Sequence, residues 1–238
     1  MCLFYKKISK IIPVSYTALD QIKMMTKKIP PVKVIFNGVD YNFFNDNKSK
    51  QFNNGTPQLI FIGGLRKYKK IDELINAMPK LLLKYPKANL QIIGDGPEFS
   101  KLTKIINEKK LHESVELIGR QDKQQISLRL SSADIYVSAS RFETFSASPL
   151  EAMASGLPVV LSEHPAHREL IERSNAGKIF SYGNASELCM KIEEVFENKE
   201  DFSIKAKNFA MNNDWDYVTR QIVEVYQEVF DDYNVRCD

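Results

Sequence analysis

Short apolar runs alternate with longer segments of helical periodicity through the middle of the chain. The apolar runs predict strands at 59–62, 89–93, 115–118, 134–138 and 158–161. Between them, apolar residues three or four positions apart predict helices from residue 71, from about 98 to 110, over 123–131 and over 149–155. Strands that are apolar on both faces and alternate with helices are typical of a parallel sheet with helices on both sides. The pattern therefore predicts an α/β fold, a doubly wound, Rossmann-like parallel sheet with right-handed crossovers.

The two ends of the chain differ from this middle. Residues 11–14 predict a strand and 16–28 a helix, which is too little for an independent core. Residues 41–57, rich in Asn, Lys and Gln, predict a linker, and the chain after Gly183 reads as helical to its end. Within the helix that starts at residue 71, Pro79 predicts a kink or a break because proline lacks an N–H group.

Composition narrows the class of protein. The chain has 238 residues, 43% of them hydrophobic and 26% charged, as in an ordinary globular protein. The net charge of +3 is too small to predict a nucleic-acid partner. Cys2, Cys189 and Cys237 have neither a disulfide nor a metal-site spacing, and no signal peptide or membrane span is evident, so a cytoplasmic location is expected.

Four residues with special geometry or polarity follow the predicted strands directly: Gly63, Gly94, Gly119 and Ser140. Ligands of doubly wound sheets bind beyond the carboxyl ends of the strands. The loops at this edge are therefore where we expect the functional site.

A basic loop follows the first predicted strand. Arg66, Lys67, Lys69 and Lys70 precede a helix start, where exposed backbone N–H groups already carry positive charge. A bound phosphate would make that cluster favourable. A solvated basic turn, offset by acidic residues in the helix, explains it equally well.

Two acids flank the helix predicted at 149–155. Glu151 stands three residues after Ser148, with Pro149 between them, which predicts a capping box and gives the acid a structural explanation. Glu143 has no such explanation, because it lies in the loop beyond a strand's carboxyl end. It is the stronger candidate for a ligand contact.

Other motifs predict structural roles. The turn at 94–98 lacks the third glycine of a dinucleotide fingerprint. His164 and His167 have no nearby companions for a metal site, so surface or supporting roles are expected. Asp214 predicts a helix cap, with Trp215 as an anchor. No catalytic triad is evident.

Taken in order, these segments resemble the C-terminal domain of family 4 of the retaining glycosyltransferases, which has the GT-B fold. The resemblance runs from residue 12 to 226. Residues 34–40 resemble the family's linker motif, 61–69 its first donor loop and 94–97 one of its turns. Most specific is Glu143, seven residues, then Glu151 and the phrase Ala-Met-Ala-Ser-Gly-Leu-Pro-Val, which is similar to the paired-glutamate motif.

The resemblance implies a role for each of these residues. Glu143 is implied to be catalytic, against the donor sugar, and Glu151 to bind the ribose. Lys69 is implied to neutralise the diphosphate, with no metal cofactor and no separate base. The remaining implied donor contacts are Gly63, Gly64, Arg66, Arg120 and the backbone of Thr144, Phe145 and Ser146. The family often has an arginine where this chain has Gly64, and Arg66, two residues further on, is expected to supply that charge.

The resemblance also implies a domain organisation. Residues 1–40 would be a remnant of the N-terminal acceptor domain and the linker, 41–215 the nucleotide-sugar-binding domain, and 216–238 a helix that crosses back. The partners implied are the nucleotide-sugar donor and, at the surface that the acceptor domain would cover, a partner subunit or a second copy of the chain. Peripheral contact with the inner membrane surface is compatible with this organisation.

Two other functions stay open at the level of sequence. A non-catalytic nucleotide-sugar-binding or interaction module would keep the fold without turnover; DNA upstream of Met1 that encodes an acceptor domain would favour the enzyme. A sugar-nucleotide epimerase of the same fold is disfavoured by the paired glutamates.

Overall fold

The computed structural model describes residues 8–26, 28–45, 55–145 and 147–235. Its centre is a six-stranded sheet in which every pairing is parallel and the strand order is β3-β2-β1-β4-β5-β6. The strands are β1 Gln58–Ile62, β2 Asn89–Ile93, β3 Val115–Gly119, β4 Ile135–Ser138, β5 Val159–Ser162 and β6 Gly177–Phe180. The order runs outward from β1 in one direction and from β4 in the other, which confirms the predicted doubly wound fold.

Helices cover both faces of the sheet. One apolar cluster contains Leu59, Phe61 and the inner side of the helix after β1; the other contains Ile60, Ile62 and the helix after β4. The alternation of β1 residues between the two clusters follows from the two-residue period of a strand. The helices are α1 Tyr16–Met25, α2 Tyr41–Asn45, α3 Ile71–Lys84, α4 Phe99–Glu108, α5 Lys123–Ser132, α6 Ala147–Ala154, α7 Pro165–Ser174, α8 Ala185–Glu197, α9 Lys199–Met211 and α10 Trp215–Val235.

The structure does not break α3 at Pro79. The helix runs without interruption from Ile71 to Lys84, so the predicted split is wrong. Met78 and Leu81, on either side of the proline, are buried in the same cluster. Burying each such side chain contributes about 1.5–3 kcal/mol, which offsets the cost of about 3 kcal/mol for proline in a helix.

The sixth strand and the helix before it were not foreseen. In β6 only Ile179 and Phe180 are large apolar residues, which is too short a run to stand out. Pairing with β5 creates the strand: a Cβ on Gly177 would lie 1.9 Å from the carbonyl oxygen of Val159, so only glycine permits this approach. A tertiary contact decides the element here.

The N-terminal segment, defined as residues 8–26 and 28–37, lies against α7 and α10. Its predicted strand at 11–14 is reduced to a single bridge between Ile11 and Val32, whereas the predicted helix forms as α1 and ends at Met25. Ile35 packs on Val218 and Val225 of α10. In the predicted linker at 41–57, α2 forms, and residues 46–54 lie outside the described chain. The division into domains at residues 40 and 215 stays a prediction.

Candidate functional site at the carboxyl edge of the sheet

An ion pair joins the loops that follow β1 and β4. Lys69 Nζ lies 2.6 Å from Glu143 Oε1, and the two side chains are 19% and 13% exposed. Lys69 ends a short 3₁₀ turn, Lys67–Lys69, that connects β1 to α3. The N–H of Arg141 donates to the carbonyl of Tyr68 at 2.7 Å, so the backbones of the two loops are joined as well.

A pair of glycines lets the β1 loop leave the sheet next to β2. Gly94 has a φ of +142°, and a Cβ at this position would lie 2.0 Å from the carbonyl oxygen of Gly63. The N–H of Gly63 in turn donates to the carbonyl of Ile93 at 3.0 Å. The turn at 94–97 therefore has the structural role that its sequence suggested, and it sets where the basic loop begins.

Tyr136 of β4 provides a buried hydroxyl below the two glutamates. The hydroxyl donates to the carbonyl of Ile62 at 3.2 Å. Burial raises the pKa of Tyr136, and the negative charges of Glu143 and Glu151 raise it further. Because both carboxylates act on one hydroxyl, both lie near this edge of the sheet, and Lys69 is paired with Glu143.

Glu151 projects from the middle of α6 and is half-buried. Burial raises the pKa of its carboxyl, and the positive charge of Lys123 opposes that shift. Among the described residues none donates a hydrogen bond to this carboxylate. The predicted capping box is wrong, because α6 begins at Ala147 and Ser148 lies inside its first turn, where its hydroxyl meets that of Tyr136.

His164 lies inside the site and not on the surface. It caps α7, with Nδ1 at 3.2 Å from the N–H of Ala166, and its Nε2 is 3.4 Å from the N–H of Glu143. A neutral imidazole has one acceptor nitrogen, so only one of these contacts is a hydrogen bond at a time. Burial lowers the pKa of His164, although the charge of Glu143 raises it in part.

His167 is fully buried beneath the same loops. Its Nδ1 is 3.0 Å from the carbonyl oxygen of Ser162, which can only accept, so Nδ1 carries the proton. Nε2 is then a buried acceptor with no partner among the described residues. Burial lowers the pKa of His167 to about 3. Of the two roles expected for His167, a surface role is wrong, because the side chain is fully buried. A supporting role beneath the loops stays a prediction.

The other predicted donor contacts lie at the rim. Gly64, Arg66 and Arg120 are exposed, and neither arginine forms an ion pair within the described part of the chain. Thr144 is exposed too, and its carbonyl accepts a hydrogen bond from Ser15 at 2.6 Å. Phe145 turns inward and packs with the cluster around α6. Ser146 lies outside the described residues.

Three residues that the fold brings to this site were not identified from the sequence: Tyr136, Lys123 and Ser15. In the sequence, Tyr136 is one residue of a predicted apolar strand, and Lys123 begins a predicted helix. Ser15 had a usable signal, because a serine directly before a predicted helix is a common N-cap. Their place beside the glutamates depends on long-range contacts, which no local pattern reports.

Over the described residues, no group of three or more His, Cys, Asp or Glu side chains is placed to hold a metal ion. Within the same ranges, no helix combines the length and the apolar character needed to cross a bilayer.

Comparison with known proteins gives a family. Residues 42–213 match the family model of the glycosyl transferases group 1. The chain is 22% identical over 193 residues to the N-acetyl-alpha-D-glucosaminyl L-malate synthase of Bacillus anthracis, covering 79% of this chain and 50% of that protein. It is 27% identical over 202 residues to the phosphatidyl-myo-inositol mannosyltransferase of Mycolicibacterium smegmatis, covering 81% and 51%. The chain thus spans about half the length of these curated relatives.

Solved structures agree on the fold. A structure of Anabaena HepE in complex with UDP and glucose superposes with a TM-score of 0.81 at 21% identity, covering 95% of this chain and 65% of that one. At this identity the likeness establishes the GT-B type of Rossmann-like domain and nothing about ligands.

Proposed function

Because the chain belongs to the glycosyl transferases group 1, we propose that it binds a nucleoside diphosphate sugar at the carboxyl edge of its sheet and serves retaining transfer of the sugar to a hydroxyl acceptor. The single observation that carries this proposal is the pair of Lys69 and Glu143, held 2.6 Å apart and largely shielded from water. A cation for the diphosphate and an acid for the sugar stand at one point.

The proposed chemistry is electrostatic. As the bond from sugar to phosphate breaks, negative charge develops on the diphosphate and positive charge on the sugar ring. Lys69 stabilises the first and Glu143 the second, and groups fixed in advance in a partly desolvated site do so at little reorganisation cost. In this proposal the lysine and the backbone at the start of α6 take the place of a metal ion.

In this proposal the sugar lies at the Lys69–Glu143 pair, and the nucleoside lies on the opposite side of the loops that follow β1 and β4. Glu151, whose carboxylate has spare hydrogen-bonding capacity, accepts from the ribose hydroxyls. Arg120, at the end of β3, lies by the base. Gly63 and Gly64 allow the diphosphate to approach the backbone, Arg66 adds charge at the rim, and the peptide groups of Thr144 and Phe145 face the sugar and diphosphate.

The acceptor side is proposed to come from a further protein segment. On α10, Val223, Tyr226, Phe230 and Tyr233 are exposed at spacings of three, four and three residues, which is the spacing of a helix-packing seam. An acceptor-binding half, in a partner subunit or a longer chain, would cover this seam; a second copy of the chain is the alternative occupant. Peripheral contact with a membrane from the cytoplasmic side is also proposed, since relatives carry lipid names such as monoglucosyldiacylglycerol synthase.

Calorimetric titration with UDP, GDP and ADP tests the donor site. We expect binding of at least one nucleotide. Lys69→Ala should weaken it about tenfold or more, since a hydrogen bond to a charged group contributes about 1.5–3 kcal/mol. Lys104→Ala is the matched control, because this exposed lysine of α4 pairs only loosely with Glu108, at 3.7 Å. No binding of any nucleotide would overturn the proposal.

Turnover separates the enzyme from the binding module. The chain together with its acceptor half should release the nucleoside diphosphate from the sugar donor in step with glycosylation of the acceptor. Binding without any transfer in that mixture would leave only the non-catalytic module.

A further inference from the structure

The N-terminal segment contacts the glutamate loop, defined as residues 139–145 after β4, through the side chain of Ser15. Ser15 is 2% exposed and lies directly before α1. Its Oγ is 2.9 Å from the N–H of Ala18 and 2.6 Å from the carbonyl oxygen of Thr144. One hydroxyl therefore connects the cap of a helix to the residue after Glu143.

The two contacts of Ser15 assign its single proton. The N–H of Ala18 can only donate and the carbonyl of Thr144 can only accept. The hydroxyl must therefore accept from Ala18 and donate to Thr144. Both bonds form at once, and turning the hydroxyl elsewhere would lose the bond to the loop.

The start of α1 is itself held in place from α7. The carboxylate of Glu169 accepts from the N–H of Tyr16 at 2.9 Å and from the N–H of Thr17 at 3.2 Å. It also accepts from the Thr17 hydroxyl at 3.1 Å. A carboxylate at a helix N-terminus is favoured by the helix dipole. Ser15 is thus presented to the loop from a fixed position.

Packing beneath the loop leaves a small gap. A cavity of about 20 Å³ lies there, lined by Ser15 and Phe36 of the N-terminal segment and by Phe145, Leu150 and Leu170. This is room for about one water molecule. The hydrogen bond to the Thr144 carbonyl therefore adds a directional contact at a place where packing is not complete.

We propose that Ser15 is a positioning residue of the donor site: its bond to the Thr144 carbonyl holds the glutamate loop in the conformation that meets the donor sugar. The inference rests on the proposed function. It follows that whatever moves the N-terminal segment also moves the loop, so the acceptor side of the molecule can adjust the grip on the donor sugar without touching the nucleotide.

The test compares two ligands that differ by the sugar. UDP-glucose, GDP-mannose and ADP-glucose are titrated beside UDP, GDP and ADP, and the pair that wild type binds best is used. Ser15→Ala should lower the affinity for the nucleotide sugar about fivefold, as expected for the loss of a hydrogen bond, and leave the affinity for the nucleotide nearly unchanged. A role in stability alone would not change the ratio of the two affinities.

Two control variants test whether a change in the affinity ratio comes from the lost hydrogen bond to Thr144. Ser15→Thr keeps the hydroxyl and should restore the wild-type ratio. Asn184→Ala removes another helix cap, the bond to the N–H of Glu187 at 3.0 Å, and should lower stability without changing the ratio. If Ser15→Ala does not unfold cooperatively, Ser15→Cys replaces it, since a thiol is a weak donor and should lower the ratio in the same direction.

The outcomes separate the two claims. A wild-type chain that binds nucleotide and nucleotide sugar, with an unchanged ratio in Ser15→Ala or Ser15→Cys, overturns the positioning role alone. A wild-type chain that binds no ligand of the panel overturns the proposed function, and this inference with it.

Discussion

The acidic residues near the two ends of β4 differ in how many hydrogen bonds they accept from the protein. At the amino end, Asp134 is 7% exposed. Its Oδ2 accepts from the N–H of Gln58 at 2.9 Å, and its Oδ1 lies 3.4 Å from Nζ of Lys199. At the carboxyl end, Glu143 has one close side-chain partner, Lys69, and Glu151 accepts no hydrogen bond from a described residue. The same strand thus joins a satisfied carboxylate to two that have capacity left.

This contrast distinguishes one acid with a structural role from the two that the proposed function assigns to the donor. Both oxygens of Asp134 are engaged by groups of the protein, and the carboxylate links β1, β4 and α9. Burying a carboxylate without partners costs free energy, and the raised pKa of Glu151 reports that cost. We interpret the carboxyl edge as the end where stability is given up for binding.

An unpaired atom alone is a weaker criterion. Oδ1 of Asn89, at the amino end of β2, is also buried without a partner among the described residues, and we have no physical account of it. The carboxyl edge differs because unsatisfied groups and charges of both signs converge there.

Removing Asp134 should have the largest effect. Asp134→Ala leaves Lys199 and the N–H of Gln58 without this acid, and we expect a loss of about 3 kcal/mol in the free energy of unfolding, measured by urea denaturation. Affinity for nucleotide in the folded protein should not change. Asp201→Ala, which removes an exposed i,i+4 pair with Lys205, should stay within about 0.5 kcal/mol.

The burial of His167 should make the free energy of unfolding depend on pH. The pKa of His167 is about 3 in the folded state and about 6.5 when unfolded, so the unfolded state binds more protons between these values. Stability is full above pH 6.5 and falls as the pH drops, by about 1.4 kcal/mol per unit once the unfolded histidine is protonated.

His167→Asn keeps a donor for the Ser162 carbonyl and removes the titrating group. Between pH 7 and 5 the variant should therefore lose about 2 kcal/mol less stability than wild type. Denaturation at each pH, taken as the difference between the two proteins, cancels the contributions of other groups. Equal slopes would contradict the assigned burial of this ring.

Removing Glu151 should weaken nucleotide binding without lowering stability, which is the opposite of the effect expected from removing Asp134. Glu151→Ala is expected to weaken nucleotide binding about tenfold, the loss of a charged hydrogen bond. Its thermal midpoint should not fall, because a desolvated carboxylate is removed. Calorimetry and thermal denaturation on one preparation measure both. A large loss of stability with unchanged affinity would place Glu151 in the same class as Asp134.

The smallest expected effect belongs to the rim. Arg66 is exposed without an ion pair in the described ranges, and exposed charges contribute about 0.2–1 kcal/mol. Arg66→Ala should therefore weaken nucleotide binding by a factor of about two to five, and more strongly at low salt. Unchanged affinity at low salt would remove Arg66 from the donor site.

The sequence predicted strands and helices best where the pattern was dense. β1, β4 and β5 are near-continuous apolar runs, whereas Gln91 interrupts β2 and Glu116 interrupts β3; each of the five lies within a residue of where the pattern placed it. β6 has a short run and depends on the absence of a side chain at Gly177. The split at Pro79 was wrong because local propensity lost to burial on both sides of the proline.

The candidate site divides in the same way. Lys69 and Glu143 were expected at one edge because the carboxyl ends of parallel strands meet there, and the family resemblance implied Glu151 beside them. The structure pairs Lys69 with Glu143 at 2.6 Å, and the charges of both glutamates act on the Tyr136 hydroxyl. The role of each remains a proposal. No local pattern placed His164, Tyr136 or Ser15 at this site, since their partners there are 21, 74 and 129 positions away in the chain. The N-cap signal of Ser15 indicated only a helix start.

What the sequence determined alone was periodic or local: the alternation of strands and helices, hence a parallel sheet, and the edge at which its loops converge. What the tertiary structure decided was burial and pairing. Which carboxylate is satisfied, which histidine is kept neutral and which hydroxyl holds the loop all depend on desolvation and on short contacts between distant residues, and neither quantity has a period along the chain.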